Sequence, residues 1–313
     1  MKILSVGEVL WDVFGDVEYL GGAPLNFSVA SQRLGDQAAL LTAIGNDERG
    51  IRALKDIHAL GLTTTFVQHV SGHPTGTALV NSDQDRNTVF TIDRPAAFDF
   101  LVIDAPTLDR AARFAPDWLY FGTLAQSNPN TDIELIRLVE SLPNTKRFYD
   151  VNLRTGHWNL SLVKKLSSVA DVLKLNQQEA QLLFELTHQH STYDLEAFCH
   201  HWSSAYNIST ICVTLGNNGC VIFTDNALSF FEGFRVEVVD TVGAGDAFAA
   251  AFLHGLSAGW PVEKNATFAN ALGALVVGRP GATTDWTIEE VYALARSRSV
   301  STDAANASAR QGL

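Results

Sequence analysis

Short apolar runs alternate with helical patterns along most of this chain. Residues Lys2–Val6 (KILSV) read as a first core strand. Residues 26–34 have helical spacing and stop at Gly35. Residues 38–44 read as a strand, and 47–60 as a helix stopped by Gly61. Further short strands fall at 118–121, Lys146–Asp150, 172–175 and 211–214, with helical segments between them. Strands that alternate with helices predict an α/β fold, a mostly parallel sheet with helices on both faces.

Two pieces break the alternation. Residues 12–20 (DVFGDVEYL) alternate apolar and polar positions ahead of Gly21-Gly22, and 77–92 read as two strands joined by a polar turn at 82–87. Together they predict a small, mainly antiparallel sheet, built from about 12–22 and 75–95, that projects from the core and covers a cleft. No flexible linker separates the two parts. The expected organisation is one unit over residues 1–296, with the lid inserted by loops, followed by a small-residue polar tail at 297–313 expected to be flexible.

Composition narrows the functional classes. The chain has 313 residues, 46% of them hydrophobic, and a net charge of −12. That supports a large core and argues against a nucleic-acid partner, which would call for a basic face. No apolar run reaches the length of a membrane span, so a cytoplasmic protein is expected. Cys199, Cys212 and Cys220 are odd in number and lack metal-ligand spacing. They read as buried small hydrophobes in a reducing compartment. The pairs His188/His190 and His200/His201 lack the spacing of a zinc site.

The densest chemistry lies in Asp240-Thr241-Val242-Gly243-Ala244-Gly245-Asp246-Ala247-Phe248, which runs into a long apolar helix. Gly243, Ala244 and Gly245 leave backbone N–H groups uncovered at a helix start, which makes an anion site. Asp246 then fits a base that takes a proton from a hydroxyl attacking a phosphate. The same residues also fit a tight turn with Asp246 as a helix cap. There is no G-x-x-x-x-G-K-[ST] and no G-x-G-x-x-G after a strand, which disfavours a P-loop or nicotinamide enzyme.

The stretch DTVGAGDAF resembles the second signature of the PfkB (ribokinase-like) family of sugar and nucleoside kinases. Gly21-Gly22-Ala23-Pro24-Leu25-Asn26 through Leu34-Gly35, then Ile44-Gly45-Asn46-Asp47 and Gly50, resemble its first. The resemblance covers residues 1 to about 295. It implies a ribokinase-like, Rossmann-like core with a β lid, ATP as donor with Mg2+, and phosphorylation of a sugar CH2OH. Carried over, Asp246 is the catalytic base, and Gly243, Ala244 and Gly245 are the anion hole. Asp12, Gly21, Gly22 and Asn26 match sugar-binding positions. Asn176 and Glu179 match the Asn-x-x-Glu motif associated with Mg2+ and phosphate, Glu179 acting through water. Thr214, Gly216, Gly219 and Asn270 match positions near the nucleotide. Asp240, with the Val242 carbonyl and the 279–282 loop, matches a site for a monovalent cation such as K+.

Gly7-Glu8, Arg94-Pro95, Phe121-Gly122-Thr123, Asp150-Val151-Asn152-Leu153-Arg154 and His157-Trp158 resemble the fructokinase and 2-keto-3-deoxygluconate kinase branch. The expected activity is phosphorylation of D-fructose to fructose 6-phosphate. Alternative acceptors are 2-keto-3-deoxygluconate, ribose or a nucleoside, and a different class is a catalytically silent sugar-binding protein. Arg94 leaves the lid hairpin and reads as a substrate contact or a surface salt bridge. An open lid sheet also predicts a homodimer through the lid.

Overall fold

The computed structural model describes residues 1–82, 88–188 and 192–297. The expected turn at 83–87, His190 and the tail from 298 lie outside the described residues. Strand β1 (Lys2–Val6) leads into a hairpin, β2 (Leu10–Phe14) and β3 (Val17–Gly21), turning at Gly15 with φ 59°. Helix α1 (Ala23–Arg33) and strand β4 (Gln37–Gly45) follow, then α2 (Glu48–Ala59) and β5 (Val67–Val70). Strands β6 (Gly76–Ser82) and β7 (Thr88–Ile92) complete the second departure from alternation. From there the chain alternates again: α3 (Ala105–Phe114), β8 (Trp118–Gly122), α4 (Pro129–Ser141), β9 (Lys146–Asp150), α5 (Leu160–Ser167), β10 (Val172–Asn176). It continues with α6 (Gln177–Thr187), α7 (Leu195–Tyr206), β11 (Thr210–Thr214), β12 (Cys220–Thr224), β13 (Ala227–Phe231), α8 (Ala244–Ser257) and α9 (Val262–Val277).

The large sheet runs β13-β12-β11-β10-β9-β8-β1-β4-β5. It is parallel from β5 to β11, and only β12 and β13 are antiparallel. Side chains alternate between its faces with period two. Leu4, Val6, Leu119 and Phe121 enter one apolar cluster. Ile3, Trp118, Tyr120 and Phe148 enter the other, which α1, α8 and α9 cover with Phe27, Phe248 and Phe268. The β12–β13 hairpin was not marked in the sequence reading. Its turn is Asp225-Asn226, both at positive φ (52° and 58°), a local signal the strand patterns alone did not use.

The second sheet is β3-β2-β6-β7. It is the expected lid, antiparallel at both edges. Its central pair β2–β6 is parallel, because β6 enters from the core and not from a hairpin with β2. The lid is tied to α2. Glu18 bonds Arg49 (2.6 Å) and Arg52 (2.9 Å), and Trp11 Nε1 donates to the Arg49 carbonyl (3.1 Å). Asp47 caps α2 at the Gly50 amide (2.7 Å) and also accepts from the Thr75 amide (2.7 Å), one residue before β6. This part of the Ile44–Gly50 motif therefore fixes where the lid leaves the core.

Strand β1 lies between β4 and β8, so the direction of the crossovers reverses there. In open α/β sheets a crevice forms at the C-terminal strand ends beside such a reversal. All three cysteines are buried and free. No helix among the described residues is long and apolar enough to cross a membrane.

Candidate active site

Gly243 is the N-cap of α8 and sits at φ 78°. A Cβ there would come within 2.6 Å of the Ala282 Cα, so only glycine lets the two loops touch. Asp240 fastens the same loops, accepting from the Val242 amide (3.0 Å) and the Gly281 amide (3.0 Å). The first turn of α8 thus starts at Ala244 with no side-chain cap. Its leading N–H groups have no partner within the helix and carry the positive end of its dipole. Lys174 approaches this turn closely. A side chain beginning at Gly245 would start 3.3 Å from its Nζ.

Asp246 lies in that first turn, buried, and its Oδ2 accepts from Asn26 Nδ2 of α1 at 2.8 Å. Burial lifts the Asp246 carboxyl to about 6, Asp150 raising it further while Lys174, Asn26 and Arg154 pull it down. A carboxyl so placed is mostly ionised at neutral pH yet basic enough to accept a proton, which suits a general base. Lys174, inside the apolar strand β10, is held by Asp150 at the end of β9 (3.0 and 2.9 Å). Burial would discharge this lysine, but Asp150, with Asp246 and Glu179, outweighs burial and raises it above its ordinary value. Tyr120 donates to the same Asp150 at 3.1 Å.

A cavity of about 190 Å³ opens between lid and core. Gly243, Gly245, Asp246 and Lys174 line it, together with Asp12, Gly22, Asn26 and Arg154. Asp12 on β2 is buried and lifted to about 7 by that burial, with Arg154 lowering it and Asp246 and Asp240 raising it. The glycine pair acts by leaving room. A Cβ at Gly21 would sit 2.4 Å from Asp12 Oδ2, and one at Gly22, with φ 113°, would sit 2.5 Å from the Glu8 carbonyl oxygen.

A second cleft of about 620 Å³ meets the first at Thr241 and Gly245. Thr214, Gly216, Gly219 and Asn270 line it, together with Ala244. The Asn270 amide also fixes the end of β13, donating to the Phe231 (3.2 Å) and Glu232 (3.1 Å) carbonyls. The structure thus groups most of the expected residues into two adjoining spaces, with Asp246 in the smaller one, next to Gly245 where they meet.

Four expected residues take other places. Asn176 and Glu179 form a reciprocal capping box at the start of α6 and line neither space. Both Glu179 oxygens accept backbone amides, from Leu153 (2.6 Å) and Asn176 (2.8 Å). The carboxylate therefore anchors the 151–154 loop, and a water-bridged metal would compete with those amides. Among the described residues, no three acidic, histidine or cysteine side chains are grouped to hold a metal. An Mg2+ arriving with ATP would take its oxygens from phosphate and water. Asp240, as described, bonds two amides. Arg94 pairs with buried Asp99, and donates to Ser127 and to the carbonyl (3.2 Å) of Leu124, a cavity-lining residue, without lining the cavity itself.

The sequence patterns give Glu8, Asp150 and Lys174 no role at the site, and Arg154 only that of a cation for an acidic sugar. The available signal was a charge inside or at the tip of an apolar strand, as in Val172–Asn176 (VLKLN), which has to find a partner when buried.

Comparison with known proteins gives a concordant picture. Residues 3–289 match the family described as pfkB family carbohydrate kinase. A fructokinase of Escherichia coli is 29% identical over 278 residues, 84% of this chain and 87% of the relative. An ATP-dependent ribose-1-phosphate kinase of Halopiger xanaduensis is 26% identical over 314 residues, 95% of this chain and 99% of the relative. Among solved structures, a fructokinase with bound ATP from Xylella fastidiosa superposes with a TM-score of 0.84 at 24% identity, covering 95% of this chain and 99% of that one. The fold is ribokinase-like, as the two signatures implied.

Proposed function

This chain belongs to the pfkB family of carbohydrate kinases, and on that premise we propose that it transfers the γ-phosphoryl group of ATP to a primary hydroxyl of D-fructose. The observation that carries this reading is the position of Asp246, in the lid-covered cavity and next to Gly245, which the larger cleft shares, in the first turn of a helix with no side-chain cap.

The sugar occupies the smaller space, and ATP the cleft lined by Thr214, Gly216, Gly219 and Asn270. Asp246 takes the proton of the attacking hydroxyl. The hydroxyl oxygen bonds to the γ-phosphorus as the bond to the β,γ-bridging oxygen breaks and ADP leaves. The N–H groups of the 243–246 turn and the Lys174 ammonium face the charge that spreads over the transferring group. Asn26 orients the base. Mg2+ supplies charge neutralisation on the phosphates when bound. Asp240 and its 281-loop partner remain the proposed place of a monovalent cation.

Two observations favour a neutral sugar. Carboxyls predominate around the acceptor, and Arg94, one of the two candidate cations, is engaged with Asp99. One favours a second reading: Arg154 lines the same cavity and suits an acceptor carrying a phosphate or carboxylate, such as ribose 1-phosphate or 2-keto-3-deoxygluconate. Steady-state kinetics over D-fructose, D-ribose, ribose 1-phosphate and 2-keto-3-deoxygluconate separates them. The fructose reading expects the highest kcat/KM on fructose, and a preference for either anion overturns it. We also propose a homodimer through the lid, whose cleft-side face exposes Phe14, Val17 and Tyr19.

A further inference from the structure

Glu8 follows β1 and precedes lid strand β2, and the reaction just described gives it no part. It is buried, at 5% exposure, and lines the acceptor cavity beside Asp12, Asn26, Arg154 and Asp246. The backbone N–H groups of Glu8 and Ala23 favour the ionised form of its carboxyl. Ala23 opens α1, whose N-cap Gly22 has no side chain to offer. The Glu8 carboxyl therefore lies by the uncapped start of α1. Gly22 permits this, because any Cβ there would strike the Glu8 carbonyl.

Glu8 Oε2 is buried and has no hydrogen-bond partner. Buried polar atoms in folded proteins are nearly all paired, so an orphan acceptor on a ligand cavity marks a place where a ligand group completes the pair. Asp12, Asp246 and Arg154 line the same cavity.

We propose that Glu8 is a specificity-determining acceptor contact, its Oε2 bonding a sugar hydroxyl other than the one phosphorylated. This rests on the sugar-kinase reading above and deepens it. With Asp12 it gives the cavity two carboxyls for hydroxyls, which selects a polyhydroxylated acceptor by the position of its secondary hydroxyls. Burial raises the Glu8 carboxyl to about 7, the backbone N–H groups and Arg154 lowering it and Asp246 raising it, so near neutral pH it both donates and accepts. Sequence resemblance touches this residue only as part of Gly7-Glu8; its orphan oxygen is visible only in the fold.

The test compares wild type, Glu8→Gln and Glu8→Ala on the best acceptor of the sugar panel and on its monodeoxy analogues, each lacking one hydroxyl. The expected result is an acceptor KM raised about tenfold or more in Glu8→Ala, with the KM for ATP held within about twofold. One analogue should be poor for wild type, by about tenfold in kcat/KM, yet cost the Ala variant nothing further. A role confined to supporting the start of α1 would lower stability and leave discrimination at every hydroxyl as in wild type. That pattern overturns the proposal. Glu8→Gln keeps the volume and a side-chain oxygen, so it decides the matter if Glu8→Ala does not fold. Absence of sugar phosphorylation by wild type would remove the sugar-kinase reading itself. Wild-type turnover with unchanged discrimination in the variants removes only the role of Glu8.

Discussion

Asn26 Nδ2 donates to Asp246 Oδ2 at 2.8 Å, joining residues 220 positions apart in the chain. The bond links α1, which the lid hairpin feeds directly, to α8, whose first turn faces the larger cleft. The acceptor side and the donor side thus meet through one side-chain pair. Asn26 Oδ1 is itself buried without a partner, and Asn26 lines the acceptor cavity beside the base it holds.

Loss of that bond should show in the pH profile. Asp246 lies near 6, so kcat/KM of wild type should fall tenfold per unit as pH drops below about 6, where the base becomes protonated. The Asn26 bond favours the ionised carboxylate. Asn26→Ala should therefore shift the acid limb to higher pH, and lower kcat/KM near pH 7 by about 10- to 100-fold. An acid limb that stays in place in the variant would contradict the role given to Asn26.

Gly21→Ala tests the room left by the first signature. The new methyl would meet Asp12 Oδ2 at 2.4 Å and must push that carboxylate aside. The acceptor KM should rise about tenfold while the KM for ATP stays within twofold. Equal effects on both constants would argue that the glycine serves the lid as a whole and not Asp12.

The layout of the core was legible in the sequence because its strands are short, apolar and spaced by helices. The lid was legible as the place where that spacing failed. The cluster around Asp246 was visible through its two signatures, since Gly243, Asp246 and Asn26 each carry local constraints. Lys174, Asp150 and Glu8 were not singled out, because their meaning is a contact between different strands. Lys174 is one charge in an apolar run until β9 supplies Asp150 beside it. Arg94 shows the converse. Its sequence context left a substrate contact and a salt bridge both open, and the fold supplies a salt bridge, to Asp99 five residues away.

Arg94→Ala accordingly should cost stability more than recognition. Asp99 is 1% exposed at its side chain and would be left buried without its cation. The loss should be about 3 kcal/mol, seen as a lower denaturant midpoint, with the acceptor KM little changed. A stable variant with a tenfold weaker acceptor KM would place Arg94 at the substrate instead.

Glu8→Gln should change how stability depends on pH. The folded-state carboxyl lies at about 7 against an ordinary 4.5, so the folded state binds this proton more tightly than the unfolded chain. The stabilisation from Glu8 is complete below its ordinary value and is lost as pH rises through about 7. Ligand-free Glu8→Gln should therefore exceed wild type above neutral pH by about 1–3 kcal/mol, and the gap should close toward pH 5. Thermal unfolding across that range measures it. A gap independent of pH would mean that the carboxyl does not titrate in this window.

The central claim is that Asp246 removes the proton from the attacking sugar hydroxyl, and the kcat of Asp246→Asn with saturating ATP and the best sugar tests it most directly. The variant keeps the shape of the side chain and lacks the base. The account predicts a fall in kcat of about 10²- to 10⁴-fold, with the KM for ATP within a few-fold of wild type. A kcat close to that of wild type would contradict it.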